Sequence, residues 1–256
     1  MIRVGVTGAA GRMGRTICSA VAGDPDLVLA AAVDPGGTGE SIEGVEVAGT
    51  LHAIADAGCD VVVDFTVAEA ARDTVPWLAL HGVHAVVGTT GFSDDDLALF
   101  GSAFAGDDAP NCLIAPNFAI SAVLMMRFAE AAAPYFDTAE VIELHHDRKV
   151  DAPSGTAVTT IDRMAAARDH DFAADPTEHE VYPGSRGGAA PAGIRAHSVR
   201  MRGMVAHQEV ILGAAGQTLT IRQDSYDRQS FMPGVLLACK RIAELPGLTI
   251  GLDPLL

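Results

Sequence analysis

Through the first 118 positions, short runs of consecutive apolar residues alternate with longer stretches rich in alanine and leucine. A continuous apolar run between turn residues marks a strand buried on both faces, and a longer stretch with apolar positions at helical spacing marks a helix packed on it. The pattern predicts strands at 2–7, 27–33, 61–65, 83–87 and 112–115, and helices over 12–22, 67–81 and 93–105. Strict alternation of the two predicts a Rossmann-type, doubly wound parallel sheet.

Beyond residue 118 the pattern changes. A helix near 121–132 precedes an alternating run at 139–145, where every second residue faces one side of a strand. A second helix is predicted over 154–169, with Val158, Ile161 and Met164 on one face. Strands follow at 194–200, 207–212 and 218–224, with Gly213 and Gly216 marking a tight connection between the last two. Strands that succeed one another without helices imply antiparallel pairing, hence a second α+β domain with a mixed, largely antiparallel sheet. Residues 173–193 are rich in Gly and Pro without periodicity, either a functional loop or a surface excursion. A closing helix is predicted over 233–243.

Chemistry concentrates at the strand ends. Gly8-Ala9-Ala10-Gly11-Arg12-Met13-Gly14 follows the first strand and opens a helix. Glycines there let the backbone turn sharply and approach a pyrophosphate, whose charge the helix N-terminus stabilises. The G-x-x-G-x-x-G spacing is a loose variant of the dinucleotide fingerprint, strengthened by Asp34, 20 residues after Gly14 at the end of the second strand. A carboxylate there accepts hydrogen bonds from ribose hydroxyls and repels a 2′-phosphate, and Pro35 stands where an arginine would favour NADP. NADH is therefore expected over NADPH, although Arg12 keeps both open. Two further turns, Gly88-Thr89-Thr90-Gly91-Phe92 and Ala115-Pro116-Asn117-Phe118, fall at C-terminal strand ends, where ligands bind in such sheets.

His145 and His146 end the alternating strand, so their side chains are expected on opposite faces, an arrangement that disfavours a shared metal. No metal site is expected. Lys149 follows on a short loop, suited to pair with a carboxylate or to donate a proton. Ser154 is a natural N-cap for the next helix, whose backbone amides at Gly155 and Thr156 would receive an anion.

Charge sharpens this picture. The formal net charge is −16, and only two of the 17 basic residues, Lys149 and Lys240, are lysines. A lysine beside two histidines in so lysine-poor a chain argues for a chemical role. A strongly acidic surface is the composition expected of a halophilic source, and it excludes nucleic acid and anionic membranes as partners. Residues 1–118 carry sixteen acids against four bases, but residues 119–228 fifteen against eleven, a relative enrichment of arginine that an anionic ligand would explain. Cys18, Cys59, Cys112 and Cys239 lie in apolar runs without metal-site spacing and are expected to be buried, reduced thiols. Apolar runs fall short of the roughly 18 residues that cross a bilayer, and the N-terminus lacks a basic leader, so a cytoplasmic location is expected.

The chain resembles the 4-hydroxy-tetrahydrodipicolinate reductase (dihydrodipicolinate reductase) family. The resemblance rests on the Gly8–Gly14 turn, Asp64-Phe65-Thr66, Gly88–Phe92, Ala115–Phe118, and above all Glu143-Leu144-His145-His146 through Lys149-Val150-Asp151-Ala152-Pro153-Ser154-Gly155-Thr156-Ala157. Similar segments recur at His197–Arg200, Ala206–Val210 and Ser230–Val235. It implies His145 as proton donor or acceptor, Lys149 as second proton donor, and His146, Gly155 and Thr156 as substrate contacts. Implied cofactor contacts are Gly8, Ala9, Ala10, Gly11, Arg12, Met13, Asp34, Gly88, Thr89, Thr90, Ala115, Pro116, Asn117 and Phe118. It further implies a dinucleotide-binding domain of 1–118 and 229–256, a substrate-binding and oligomerisation domain of 119–228, a homotetramer, and a small cyclic dicarboxylate as substrate. Two other readings are another Rossmann dehydrogenase, acting on a sugar or an aldehyde, of which the aldehyde enzyme would need a framed cysteine nucleophile, and a non-catalytic nucleotide sensor, which gives no reason to keep His145 with Lys149.

Overall fold

The computed structural model describes all residues, 1–256. The chain forms two compact units, the first of residues 1–120 and 228–256 and the second of 121–227.

The first unit runs β1 (Ile2–Thr7), α1 (Arg12–Ala22), β2 (Leu27–Val33), β3 (Ser41–Ile42), β4 (Val45–Ala48), α2 (His52–Asp56), β5 (Val61–Asp64), α3 (Ala68–Leu80), β6 (His84–Val87), α4 (Asp94–Ala103) and β7 (Cys112–Ile114). The second unit follows as α5 (Ile120–Ala132), β8 (Thr138–His145), α6 (Gly155–Ala166), β9 (Gly188–Ala189), β10 (Arg195–Arg200), β11 (Ala206–Ala214) and β12 (Gln217–Ser225). The chain then returns to the first with α7 (Met232–Arg241) and β13 (Leu248–Ile250).

The first sheet is ordered β13-β7-β6-β5-β1-β2-β4-β3, parallel except for the short β3–β4 hairpin at its edge. Fully buried Val61, Val62 and Val63 on β5, with Ala85, Val86 and Val87 on β6, show why these strands read as unbroken apolar runs. The winding reverses at β1, which pairs with β2 on one side and β5 on the other. Ligands bind beyond the carboxyl ends of strands at such a reversal, and Thr7 and Asp64, paired in register, end the two strands that define it. Helix α4 starts on a capping box in which the Ser93 hydroxyl accepts from the Asp96 amide and Asp96 accepts from the Ser93 amide.

The second sheet is ordered β12-β11-β8-β10-β9. Antiparallel pairing predominates, yet β10 runs parallel to β8, with Arg200 opposite His145. The parallel pair follows from α6, which carries the chain back across the sheet before β10 begins, as in any β–helix–β crossover; the successive strands β10 and β11, expected to pair antiparallel, are instead separated by β8. Ala139, Val141, Val210 and Leu212 pack one face against Ala157, Ile161 and Met164 of α6. The 173–193 segment is held on the surface by its ends and its charges. Phe172 and Ala173 donate backbone hydrogen bonds to Ala192 and Asp137, and Asp175 pairs with Arg195 at 2.7 Å.

Candidate active site

In the first unit the Gly8–Gly14 turn is built for close backbone approach. Gly8 has φ +67°, and a Cβ on Gly14 would stand 2.0 Å from the Gly8 carbonyl oxygen, so neither position tolerates a side chain in this geometry. No side chain caps α1, whose N-cap is Gly11; an anion is the natural partner for its first-turn amides. Asp34 Oδ2 accepts from the Ala10 amide at 3.1 Å and Oδ1 from the Gly36 amide at 2.9 Å. The carboxylate thus ties the glycine turn to the end of β2, and each oxygen keeps a lone pair for a ribose hydroxyl. A glycine cradle, an uncapped helix start and a carboxylate at the second strand end together fit an adenine dinucleotide.

The remaining predicted cofactor loops meet around a residue that sequence reasoning did not single out. Asp64, fully buried at the end of β5, accepts hydrogen bonds from the hydroxyls of Thr7 (2.7 Å), Thr66 (2.8 Å) and Thr89 (2.7 Å). The Thr89 hydroxyl proton is therefore committed to the protein, which leaves its oxygen as an acceptor only and its backbone for a ligand. Gly88 packs on the Phe65 ring, where a Cβ would lie 2.1 Å from Cζ, and Phe65 in turn contacts Phe118 at 5.4 Å between ring centroids. Ala115 and Phe118 are buried, whereas Thr90, Pro116 and Arg12 are exposed. Asn117 Oδ1 accepts from the Ala119 amide.

In the second unit, alternation along β8 puts Ala139, Val141, Glu143 and His145 on the face that meets α6. Glu143, 1% exposed, is the anchor. Its Oε1 accepts from Arg200 Nη2 at 2.7 Å and from the Ser154 amide at 3.2 Å; its Oε2 accepts from Arg200 Nη1 at 2.8 Å and from His145 Nδ1 at 2.5 Å. Burial alone would raise the Glu143 carboxyl, but Arg200, Ser198 and His145 together hold it below the usual range. Burial lowers the His145 imidazole, and Lys149 and Arg200 push it the same way against Glu143. Nδ1 of His145 faces the Glu143 carboxylate, which leaves Nε2 as the nitrogen available to a ligand.

His146 lies just past the strand, and its Nδ1 accepts from the Arg148 amide at 3.2 Å. Lys149 folds back so that Nζ donates to both oxygens of Asp151 at 2.8 Å. The lysine keeps Asp151 below the ordinary carboxylate range, an ion pair that sequence reasoning missed although the residues are two apart. Ser154 is the expected N-cap: its hydroxyl accepts from the Ala157 amide, and Gly155 and Thr156 open α6 directly beyond it. Arg200 Nη2 also donates to the Asp151 carbonyl at 2.7 Å, so the Glu143–Arg200 pair fixes both ends of the 151–154 loop. A cavity of about 550 Å³ adjoins Ala152 and Pro153 and is lined also by Gly187, Gly188, His197 and Ser198.

The arrangement offers a histidine held by a carboxylate, a lysine, and a helix N-terminus suited to an anion. Glu143 and Arg200 escaped notice because an acid in an alternating run reads as an outward, solvated position. Only the i, i+2 spacing of Glu143 and His145 signalled that they share a face.

Residues 2–118 match the family described as "Dihydrodipicolinate reductase, N-terminus", and residues 121–256 match "Dihydrodipicolinate reductase, C-terminus". Curated relatives called 4-hydroxy-tetrahydrodipicolinate reductase include one from Cutibacterium acnes, 48% identical with 100% of this chain and 99% of the relative covered. Another, from Nocardia farcinica, is 50% identical over 100% of this chain and 98% of its own. A dipicolinate-bound dihydrodipicolinate reductase from Paenisporosarcina sp. TG-14 superposes with a TM-score of 0.91 at 38% identity, covering 100% of both chains. A myo-inositol dehydrogenase from Corynebacterium glutamicum shares the fold alone, with a TM-score of 0.61 at 16% identity over 96% of this chain and 90% of that one.

Proposed function

The chain belongs to the dihydrodipicolinate reductase family, and from that premise we propose that it reduces 4-hydroxy-2,3,4,5-tetrahydrodipicolinate to tetrahydrodipicolinate with NAD(P)H, a step of lysine and diaminopimelate biosynthesis. The observation that carries this reading is the His145–Glu143 pair set beside Lys149 and the N-terminus of α6. The net reaction consumes one hydride and one proton and releases one water. The nicotinamide supplies the hydride when bound. The protein's residues manage protons and charge. Lys149 exchanges Asp151 for a substrate carboxylate or donates to the carbon that gains a proton, and His145 carries a proton on Nε2 in the same cycle. His146, Gly155 and Thr156 receive the dicarboxylate, the last two with backbone amides at the helix N-terminus.

In the first unit, Gly8–Met13 cradle the pyrophosphate, with Asp34 on the adenosine ribose. Gly88–Thr90 and Ala115–Phe118 complete the cofactor loops. Asp34 favours NADH, since its charge opposes a 2′-phosphate and the following Pro35-Gly36-Gly37 turn brings no cation. The enzyme works as a homotetramer in the cytoplasm. The β8–β12 face opposite α6, where half-buried Ile142, Leu144, Val199 and Ile211 lie among ion pairs, supports association through the second unit. No helix is long and apolar enough to cross a membrane. The −16 charge supports a halophilic setting.

A coupled assay that generates 4-hydroxy-tetrahydrodipicolinate in place, run in graded salt with NADH or NADPH, tests the reading. Oxidation of the nicotinamide by the wild type and its loss in His145→Ala and Lys149→Ala is the expected result. Equal activity in those variants would remove both residues from the mechanism.

A further inference from the structure

One carboxylate serves both halves of the second unit's candidate site. Glu143 Oε2 meets the His145 ring at 2.5 Å, and its Oε1 meets the Ser154 amide at 3.2 Å, one residue before α6 begins. Arg200 grips both oxygens from β10, where it stands opposite His145 in the parallel register, and holds the Asp151 carbonyl as well. A bidentate Arg–carboxylate pair has little rotational freedom, so what it holds is held in a defined orientation.

We infer that Glu143 is a positioning residue for the reaction: with Arg200 behind it, it fixes the Nδ1–H tautomer of His145, so that Nε2 is the nitrogen that exchanges protons with substrate, and it sets that ring at a constant distance from the anion-binding end of α6. A carboxylate is an acceptor only, so the nitrogen facing it must carry the hydrogen. The other charged groups acting on His145 are Arg200 from β10 and Lys149, itself paired with Asp151, from the loop. Their positive charges disfavour a protonated ring; the Glu143 charge is the one that favours it. This inference rests on the proposal that His145 transfers a proton, but its tautomer is measurable without turnover.

The first test is ¹⁵N NMR of the histidine side chains in the full-length wild type near pH 7, with His145 assigned by comparison with His145→Ala. Protonated Nδ1 and unprotonated Nε2 are expected, and the opposite tautomer overturns the inference without any measurement of turnover. The second test is Glu143→Gln, which keeps the shape but removes the charge. His145 should then titrate lower by about one pH unit, and the limb of the kcat/KM profile that follows His145 should move acidward with it. Its kcat should fall at least tenfold, while the KM for NADH, whose binding residues lie in the first unit, stays within twofold. Glu143→Asp should recover part of kcat. A purely structural role would lower stability without moving the limb, and an unmoved His145 pKa in Glu143→Gln overturns the inference. If instead His145→Ala turns over normally while the tautomer is as expected, it is the catalytic reading that has failed and not the role of Glu143 in holding the ring.

Discussion

Replacing Asp64 with alanine should dismantle the floor of the cofactor site. The carboxylate is fully buried and takes three hydroxyl hydrogen bonds of 2.7–2.8 Å, from Thr7, Thr66 and Thr89, and a weaker one from the Thr66 amide at 3.2 Å. Thr89, 4% exposed, loses its acceptor with no bulk water in reach, and Thr7, 3% exposed, keeps only the weak bond of its hydroxyl to the Val63 carbonyl at 3.4 Å. Each buried orphan costs about 1–3 kcal/mol, and the Thr66 hydroxyl, partly exposed, costs less. Removing the buried carboxyl returns part of this by relieving its desolvation. The net loss should be about 3–4 kcal/mol, equivalent to a fall in Tm of roughly 10 °C for a unit of this size. Urea unfolding followed by tryptophan fluorescence reads the change, since Trp77, the only tryptophan, lies on α3 of the first unit. NADH titration of the folded variant should show at least tenfold weaker binding, because the ends of β1 and β5 and the Thr89 loop lose their common tie. Asp64→Asn keeps one acceptor and should lose less than half as much stability. A loss under 1 kcal/mol with unchanged NADH affinity in Asp64→Ala would show that Asp64 does not tie these loops together.

Gly14→Ala places a Cβ 2.0 Å from the Gly8 oxygen, a clash with backbone that cannot yield cheaply, and should weaken NADH binding at least a hundredfold by calorimetry. Asp175 should govern the 173–193 segment in acid. The Thr177 hydroxyl and amide, aided by Arg186, hold its carboxyl at about 2 against 3.8 in a free side chain. Its folded pKa is depressed, so the stabilisation is complete above 3.8 and lost as pH falls towards 2; the protection of the Thr177 amide relative to its intrinsic exchange rate should fall over that window in the wild type and be absent throughout in Asp175→Ala. The four cysteines are buried, and burial pushes Cys18 and Cys239 up to about 12 and Cys59 up to about 11, with Cys112 raised further. A thiol reagent at pH 8 should label none before unfolding. Rapid labelling of one equivalent would reopen a cysteine nucleophile.

The parallel strands of the first unit were legible because burial on both faces leaves an unbroken apolar run, as in Val61-Val62-Val63. The β3–β4 hairpin was not, since Ser41-Ile42 and Val45–Ala48 sit among glycines and acids and form an edge too short for periodicity. β13, of three residues, is defined by its pairing with β7 rather than by any local signal. In the site, His145 and Lys149 were legible as rare residue types at a strand end and its loop. Asp64 and Glu143 were quoted in the family segments but assigned no role, because what gives them one is distant: Thr7 lies 57 residues from Asp64, and Arg200 57 from Glu143. The cavity beside Pro153 likewise depends on glycines of the 184–188 turn folding back against β10, which no periodicity predicts.

The central claim is that this chain delivers hydride from a reduced nicotinamide to a cyclic dicarboxylate. Its most direct test supplies the wild-type enzyme with freshly generated 4-hydroxy-tetrahydrodipicolinate and NADH deuterated at the transferable position of C4, then weighs the product by mass spectrometry. Tetrahydrodipicolinate carrying one deuterium, formed in step with NADH oxidation, is the predicted result. Nicotinamide oxidation without label in that product, or no oxidation of either NADH or NADPH at any salt concentration, would contradict it.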